Sequence, residues 1–209
     1  DFQAIVASGQ RLLTLDKTFY QLPLSWWEER LGRLYLRSAG PGIVELGTQP
    51  LLDASQVPVA AGAELGNGVR VLSASVQREP ATDGTGQEVA HVIVYWQAER
   101  APLDDYAVAV HLLARNPPEG PDDLLAQADA QHPVGGWYPT SSWQAGEIVR
   151  DDYVMALPAG AQPVGVRLGM YQVDAEGQFH NTDWLFLPLA SEDGGANADS
   201  GSWTKDNRS

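Results

Sequence analysis

The sequence predicts an all-β fold: an antiparallel β-sandwich of jelly-roll or immunoglobulin-like type, with one or two short helices. Three observations favour it. Short runs rich in β-branched and aromatic residues recur through the centre of the chain, and this is the composition of strands. Turn-forming residues separate these runs, and the chain of 209 residues contains 21 glycines and 14 prolines. Segments with helical periodicity are few. Many short strands joined by tight turns are typical of sandwiches.

The strands are predicted from composition and from period-2 alternation. They fall at 69–76, 91–98, 106–113, 164–171 and 184–189, with further strand-like runs at 11–15, 33–36 and 43–46. Because alternate residues of a strand share one face, these strands should contribute one common core set: Val92, Val94, Trp96, Val108, Val110, Leu112, Val166, Leu168 and Met170. Asp174 to Gly177 has the residues of a tight turn and predicts a hairpin.

Two segments have helical features. In Leu24 to Leu31, Ser25 is a candidate N-cap and Glu28 follows three residues later, a capping-box pattern that predicts one or two helical turns. Pro121 to Gln127 begins with proline and two acids, as helices often do. Its short length fits a strand entered from an acidic loop equally well.

The chain divides into three parts by composition. Residues 1–60 form a strand-containing segment that either stands apart or belongs to the same sandwich. Residues 61–190 form the sandwich, and 191–209 are a polar tail rich in Gly, Asp, Ser and Asn. The chain opens with Asp1, which favours a processed product or a piece of a longer protein, with a targeting or membrane segment removed.

Charge and motifs exclude several functions. Thirteen basic against 27 acidic residues give a net charge of −14, and no basic patch exists to neutralise phosphates or anionic lipids. The absence of cysteine removes disulfides and thiolate chemistry. Nucleophile-elbow, zinc-protease, phosphate-loop and dinucleotide motifs are all missing, and the four histidines are scattered. We therefore expect no catalytic centre, no cofactor, no transition metal and no nucleic-acid partner.

Acidic residues leave two minor alternatives open. Glu147 with Asp151 or Asp152 lies beside an aromatic-rich stretch and would be the pair for a glycoside hydrolase. The acidic pairs Asp104–Asp105, Asp122–Asp123 and Asp151–Asp152 offer the oxygen ligands that calcium prefers, but without the spacing of a known calcium loop.

The densest candidate site runs from Asp129 to Asp152. Aromatic faces flanked by carboxylate, imidazole and hydroxyl groups suit sugar rings, which present apolar C–H faces and hydroxyl rims. The predicted ligand-binding residues are Asp129, His132, Trp137, Tyr138 and Thr140. The stretch from Asp129 to Trp143 should be a loop at one end of the sandwich, with Trp143 as the buried residue that holds it. The alternative is that these aromatics simply fill the core.

A longer ordered pattern resembles a known family. It comprises Val94–Ala98, Ala101–Asp104, Tyr106–Leu113, Ala126–Asp129, Pro133, Gly135, Gly136, Tyr138–Thr140, Trp143, Gly146, Glu147, Asp151, Leu157, Pro158 and Val166–Tyr171. Across about Glu64 to Leu189 the chain resembles the soluble C-terminal domain of bacterial membrane glycosyltransferases of the dolichyl-phosphate-mannose protein mannosyltransferase type. It departs from that pattern at Ala109, where an aromatic is usual, and in a longer loop from Arg115 to Asp123.

The resemblance implies an extracytoplasmic sandwich, tethered beside a membrane-embedded sugar transferase through a segment missing here. It implies an extended conformation after Pro121 and carries over no catalytic residue. The first functional hypothesis is a non-catalytic accessory domain that recognises a glycan or acceptor. The alternative is a ligand-free structural domain that docks on its own membrane-embedded region or on another membrane protein. A glycoside hydrolase is the third.

Overall fold

The computed structural model describes residues 12–15, 24–32, 34–40, 43–47, 55, 57, 62–81, 86–101, 103–189 and 204–206. Within them the chain is an all-β sandwich of antiparallel sheets with short helices, as the sequence predicted. The helices are α1 (Leu24–Leu31) and the single turn α2 (Pro133–Gly136), with 3₁₀ turns at Pro121–Asp123 and Thr140–Ser142. The strands are β1 (Leu12–Leu15), β2 (Tyr35–Gly40), β3 (Ile43–Gly47), β4 (Ala63–Glu64), β5 (Val69–Pro80), β6 (Glu88–Ala98), β7 (Ala107–Leu113), β8 (Leu124–Ala130), β9 (Ile148–Ala156), β10 (Gly165–Val173), β11 (Phe179–Asn181), β12 (Trp184–Pro188) and β13 (Thr204–Asp206).

Two sheets form the sandwich. The four-stranded sheet has the order β4-β5-β6-β9, and the six-stranded sheet has the order β13-β12-β10-β7-β8, with β11 also paired to β10. All their pairings are antiparallel. The chain passes from the six-stranded sheet to the four-stranded sheet between Ala130 and Ile148, which fixes where the aromatic-rich stretch must lie.

The core lies between the two sheets and contains every member of the set predicted from alternation. On β6 the buried and less buried residues alternate from Ala90 to Ala98, so Val92, Val94 and Trp96 share the inner face. Strands β7 and β10 supply the facing layer with Val108, Val110, Leu112, Val166, Leu168 and Met170. Burial of these apolar side chains is the main stabilising term of the fold.

The helical predictions are confirmed in part. Helix α1 occupies the predicted residues, but it begins at Leu24, so Ser25 is its second residue and not its N-cap. Glu28 accepts a hydrogen bond from the Leu34 backbone N–H at 3.2 Å and so fastens the chain that leaves the helix. At Pro121 both local alternatives occur in succession: a 3₁₀ turn, then strand β8.

The predicted hairpin around Asp174 is confirmed, since β10 and β11 pair with Val173 opposite Phe179. Asp174 closes the turn by accepting hydrogen bonds from the backbone N–H groups of Glu176 and Gln178, at 3.0 and 2.8 Å. Gly177 has φ = 79°, the left-handed conformation that glycine adopts without strain.

Both ends of the chain contribute strands. Strands β1, β3 and β2 form a separate sheet near the N-terminus, and Trp27, Leu34 and Leu46 join the same buried cluster as the sandwich. Within the segment expected to be a polar tail, Thr204–Asp206 forms a strand paired with β12. The rest of that tail, 191–203 and 207–209, lies outside the described residues. In the described part of the chain, no helix combines the length and hydrophobicity needed to cross a bilayer.

Candidate binding cleft

The aromatic stretch after β8 is mostly buried. Tyr138 and Trp143 have no exposed surface, and their ring centroids lie 6.2 Å apart. The burial of Trp143 is as predicted. Tyr138 donates a hydrogen bond from its hydroxyl to Glu147 Oε1 at 2.6 Å, and Glu147 is itself only 7% exposed. The sequence predicts that Tyr138 contacts a ligand, but in this structure its ring is buried and offers no free face.

Thr140 also has a structural position. Its side chain is fully buried; its hydroxyl donates to the Asp104 carbonyl oxygen at 2.6 Å and accepts from the Tyr106 backbone N–H at 3.0 Å. These two bonds tie the stretch to the chain that enters β7. The sequence predicts Thr140 as a ligand contact, but in this structure both hydrogen bonds of its hydroxyl are made to the protein backbone. Trp137 is half-buried and packs against the core, outside the cleft described below.

The carboxylates considered for hydrolysis do not form an accessible pair. Asp151 and Asp152 are neighbours on β9 and project to opposite faces, as period-2 geometry requires. Asp152 lies on the outer face, where Arg150 binds it through two contacts of 2.8 Å and His91 Nε2 lies 3.0 Å away. Asp151 lies on the inner face with no exposed surface.

Asp151 is held among aromatic donors in the core. Its Oδ2 accepts hydrogen bonds from Trp96 Nε1 at 3.2 Å and from the Tyr153 hydroxyl. Burial raises the pKa of this carboxyl to about 6, while bonds from Tyr153, the Val134 backbone and Trp96 act in the opposite direction. Val134 has φ = 58°, the one non-glycine residue in the described part of the chain with positive φ. Asp151 is therefore a buried carboxyl that accepts hydrogen bonds from core aromatic residues.

An open cleft of about 450 Å³ lies at the end of the six-stranded sheet. Three parts of the chain line it: the entry to β7, the end of β8 and the end of β10. Its lining residues are Asp105, Tyr106, Ala107, Asp129, Ala130, Gln131, His132, Tyr171, Gln172 and Val173. The cleft thus includes two of the five predicted binding residues, Asp129 and His132, and excludes Trp137, Tyr138 and Thr140.

Asp129 lies within β8, whereas the sequence predicts that it begins a loop. The chain leaves the strand at Gln131. Its carboxylate is 36% exposed, and Oδ1 lies 3.3 Å from His111 Nε2. His132 lies two residues beyond the end of β8 and is half-buried. Its Nδ1 is buried and has no hydrogen-bond partner among the described residues. The two predicted polar residues are therefore brought to one wall of the cleft by the end of β8.

The opposite wall comes from β10. Tyr171 is half-buried, and its ring centroid lies 5.4 Å from that of Phe179, whose side chain is 65% exposed. Gln172 donates from Nε2 to the Asp105 carbonyl oxygen at 2.9 Å and joins the cleft floor to the β7 entry. Burial and the Asp129 charge raise the pKa of Tyr171, so its hydroxyl stays protonated at neutral pH. The cleft combines an aromatic pair with a polar rim.

A row of side chains continues from the cleft along the outer face of the six-stranded sheet. His111 lies between Asp129 and the Trp184 ring, 5.3 Å from the latter by centroids. Arg167 stacks on Trp184 with its guanidinium carbon 4.2 Å from the ring centroid. The indole lies flat over Gly169, where an added Cβ would come within 2.7 Å of it. Burial lowers the pKa of His111 despite its contact with Asp129.

Sequence reasoning missed the β10 side of the cleft: Tyr171, Gln172 and the neighbouring Phe179. The hairpin prediction placed Tyr171 and Phe179 on adjacent strands, a signal for their stacking. Their position opposite Asp129 depends on β10 pairing with β7 and β7 with β8. Among the residues the structure describes, no three His, Asp or Glu side chains are grouped to hold a metal ion.

Comparisons with protein-family models, curated proteins and solved structures give no match to this chain.

Proposed function

We propose that this sandwich is a non-catalytic saccharide-binding domain whose site is the cleft between β8 and β10. One observation carries the proposal: the cleft is lined by the half-buried ring of Tyr171, which contacts the exposed ring of Phe179 beside the cleft, and by the polar residues Asp105, Asp129, His132 and Gln172. A sugar ring needs an aromatic face for its C–H groups and hydrogen-bonding groups around its rim.

The size and openness of the site fit a short oligosaccharide. A volume of about 450 Å³ lies within the range of small-molecule sites. The binding groups stand on strand ends, which hold them in fixed positions while leaving one side open to a longer chain. The acids considered for hydrolysis lie elsewhere, with Glu147 and Asp151 buried among protein donors. A role in holding a glycan is therefore favoured over cleaving one.

The resemblance to the C-terminal domains of membrane glycosyltransferases supports a context for this binding. A domain tethered outside the membrane beside a sugar transferase would hold the glycan product or the acceptor near the transferase. In this proposal the domain is extracytoplasmic, and its partners are an oligosaccharide and the membrane-embedded region of its own protein.

The test is titration of the 209-residue chain with a panel of oligosaccharides, followed by calorimetry and by NMR of the backbone amides. We expect shifts confined to the ends of β8 and β10, and loss of binding in Tyr171→Ala. The matched control is Tyr95→Ala, which removes the same side chain from the outer face of the four-stranded sheet. Equal loss in both variants, or the absence of binding by every saccharide, would reject the proposal.

A docking role without a ligand is the second candidate, and the β10–β11 hairpin favours it. Val173 and Phe179 are opposite each other in register and are 51% and 65% exposed. An exposed apolar pair of this kind is the sort of feature that protein contacts bury. If docking is the function, Phe179→Ala weakens association with the membrane-embedded region while no saccharide binds.

A further inference from the structure

We infer that the cleft selects saccharides that carry a protonated amine over neutral and anionic saccharides. This inference rests on the proposed function and specifies its ligand. The reason is the charge of the lining: Asp105 and Asp129 supply two carboxylates, and none of the described residues that line the cleft is a lysine or an arginine. His132 is the basic residue present, and it stands on the same wall as Asp129.

The Asp129 carboxylate keeps its charge available. Among the described residues its ion-pair partner is His111, at 3.3 Å. Burial lowers the pKa of His111, so the imidazole is neutral at physiological pH and contributes a hydrogen bond without a balancing charge. A carboxylate that is one-third exposed and has a neutral partner attracts a cation from solution.

The Asp105 carboxylate is also without a cationic partner in the described part of the chain. Its Oδ1 accepts a hydrogen bond from the Ser141 backbone N–H at 3.2 Å, and the residue is exposed. This bond fixes the direction of the carboxylate without neutralising it. Asp105, just before β7, and Asp129, near the end of β8, thus both line the one cleft.

The aromatic wall strengthens the same preference. The face of a tyrosine ring carries negative electrostatic potential, so a cation beside it is stabilised. Tyr171 and Asp129 both line the cleft, and the Asp129 charge raises the pKa of Tyr171 in addition to the effect of burial. An ammonium group on a sugar stacked against Tyr171 would therefore meet the ring and a carboxylate together. Anionic sugars would meet two like charges instead.

The experiment compares three probes of equal length on the intact chain: a glucosamine tetramer, an N-acetylglucosamine tetramer and a galacturonate tetramer. Calorimetry at about pH 6 keeps the sugar amines protonated and the exposed carboxylates ionised. We expect the glucosamine tetramer to bind about tenfold or more tightly than the acetylated one, the galacturonate tetramer not to bind, and rising salt to weaken the preference.

Substitution of each cleft carboxylate tests which residues produce the preference for the glucosamine tetramer. Asp129→Asn should reduce affinity for the glucosamine tetramer about tenfold and leave the acetylated tetramer nearly unchanged. Asp105→Asn should act in the same direction. The charge-matched control is Asp122→Asn, since Asp122 is exposed and lies outside the cleft. Equal losses in Asp122→Asn and Asp129→Asn would overturn the inference, because only net charge would then matter.

The outcomes separate the inference from the proposed function. If the acetylated tetramer binds as tightly as the glucosamine tetramer, in a manner abolished by Tyr171→Ala, the inference is wrong and the saccharide-binding function stands. If none of the three tetramers binds and none of the wider panel does, the proposed function fails and the inference fails with it.

Discussion

The aromatic stretch 137–143 and the cleft between β8 and β10 contain similar side chains in opposite environments. Tyr138 and Trp143 in the stretch are fully buried, and the Tyr138 hydroxyl is bonded to a buried glutamate. Tyr171 and Phe179 at the cleft stack on each other with Phe179 largely exposed. The comparison teaches that clustering of aromatics in sequence does not identify a binding surface. The exposure of an aromatic side chain depends on whether the chain at that point crosses the core or runs along an outer sheet face.

Replacing a buried aromatic residue gives the largest expected difference in stability between the two regions. Trp143→Ala should lower the free energy of unfolding by about 3–5 kcal/mol, since the cavity left by a core tryptophan cannot fully collapse. Its control is Phe179→Ala, which removes an exposed ring and should change stability by less than about 0.5 kcal/mol. Denaturant unfolding of both variants is the measurement. Equal losses would mean that the exposed hairpin is as tightly packed as the core.

The buried carboxylate of Asp151, on the inner face of β9, gives a pH dependence of stability of slightly smaller size. Burial raises the pKa of Asp151 from 3.8 to about 6 in the folded chain, so the folded state binds this proton more tightly than the unfolded state. The contribution of this group to stability is therefore complete below about pH 4 and falls as pH rises through 6. The loss amounts to up to about 3 kcal/mol.

Asp151→Asn tests this dependence, because it retains an oxygen to accept from Trp96 and Tyr153 but does not titrate. The free energy of unfolding, measured between pH 4 and pH 7.5, should lose that part of its slope in the variant. Asp152→Asn is the control: it removes the neighbouring carboxylate on the outer face and keeps Asp151, so the slope due to Asp151 should persist. An unchanged slope in Asp151→Asn would show that this carboxyl does not carry the effect.

A single hydroxyl gives the smallest of the three effects. Tyr138→Phe removes the donor to Glu147, leaving a buried carboxylate with one bond fewer, at a cost of about 1–3 kcal/mol. Tyr171→Phe makes the same change beside the cleft, where water replaces the lost hydroxyl, and should cost less than about 0.5 kcal/mol. Thermal unfolding followed by circular dichroism compares the two. A cost at Tyr171 equal to that at Tyr138 would erase the distinction between the regions.

The sequence predicted strands β5, β6, β7, β10 and β12 because their signal is local, whereas it did not predict β9. Period-2 alternation in β6, β7 and β10 is a property of each strand alone, and the nine core residues inferred from it are all in the buried cluster. Turn residues likewise predicted the β10–β11 hairpin. The same locality explains the error at Ser25, since a capping pattern is short enough to match one residue away from the actual helix start.

The site depended on the tertiary structure. Asp129 and His132 reach the cleft because β8 ends there, a position that sequence indicated only as a polar stretch near aromatics. Tyr171 stands across from them because β10 pairs with β7, a strand some sixty residues earlier, and β7 pairs with β8. Tyr138 and Thr140 are held in the interior by hydrogen bonds to Glu147, nine residues later, and to the Asp104 carbonyl, 36 residues earlier.

By itself, then, the sequence determined the strands with clear alternation or β-branched composition and which of their faces are apolar. Its net charge of −14 leads to the prediction, still to be tested, that the chain does not bind nucleic acid. Only the tertiary structure decided which aromatic rings are exposed and which carboxylates share a cleft. The physical reason is that side-chain alternation is set by the backbone geometry of each strand. Strand order and the path between sheets are set by pairings between distant segments, whose free energy comes from the whole core.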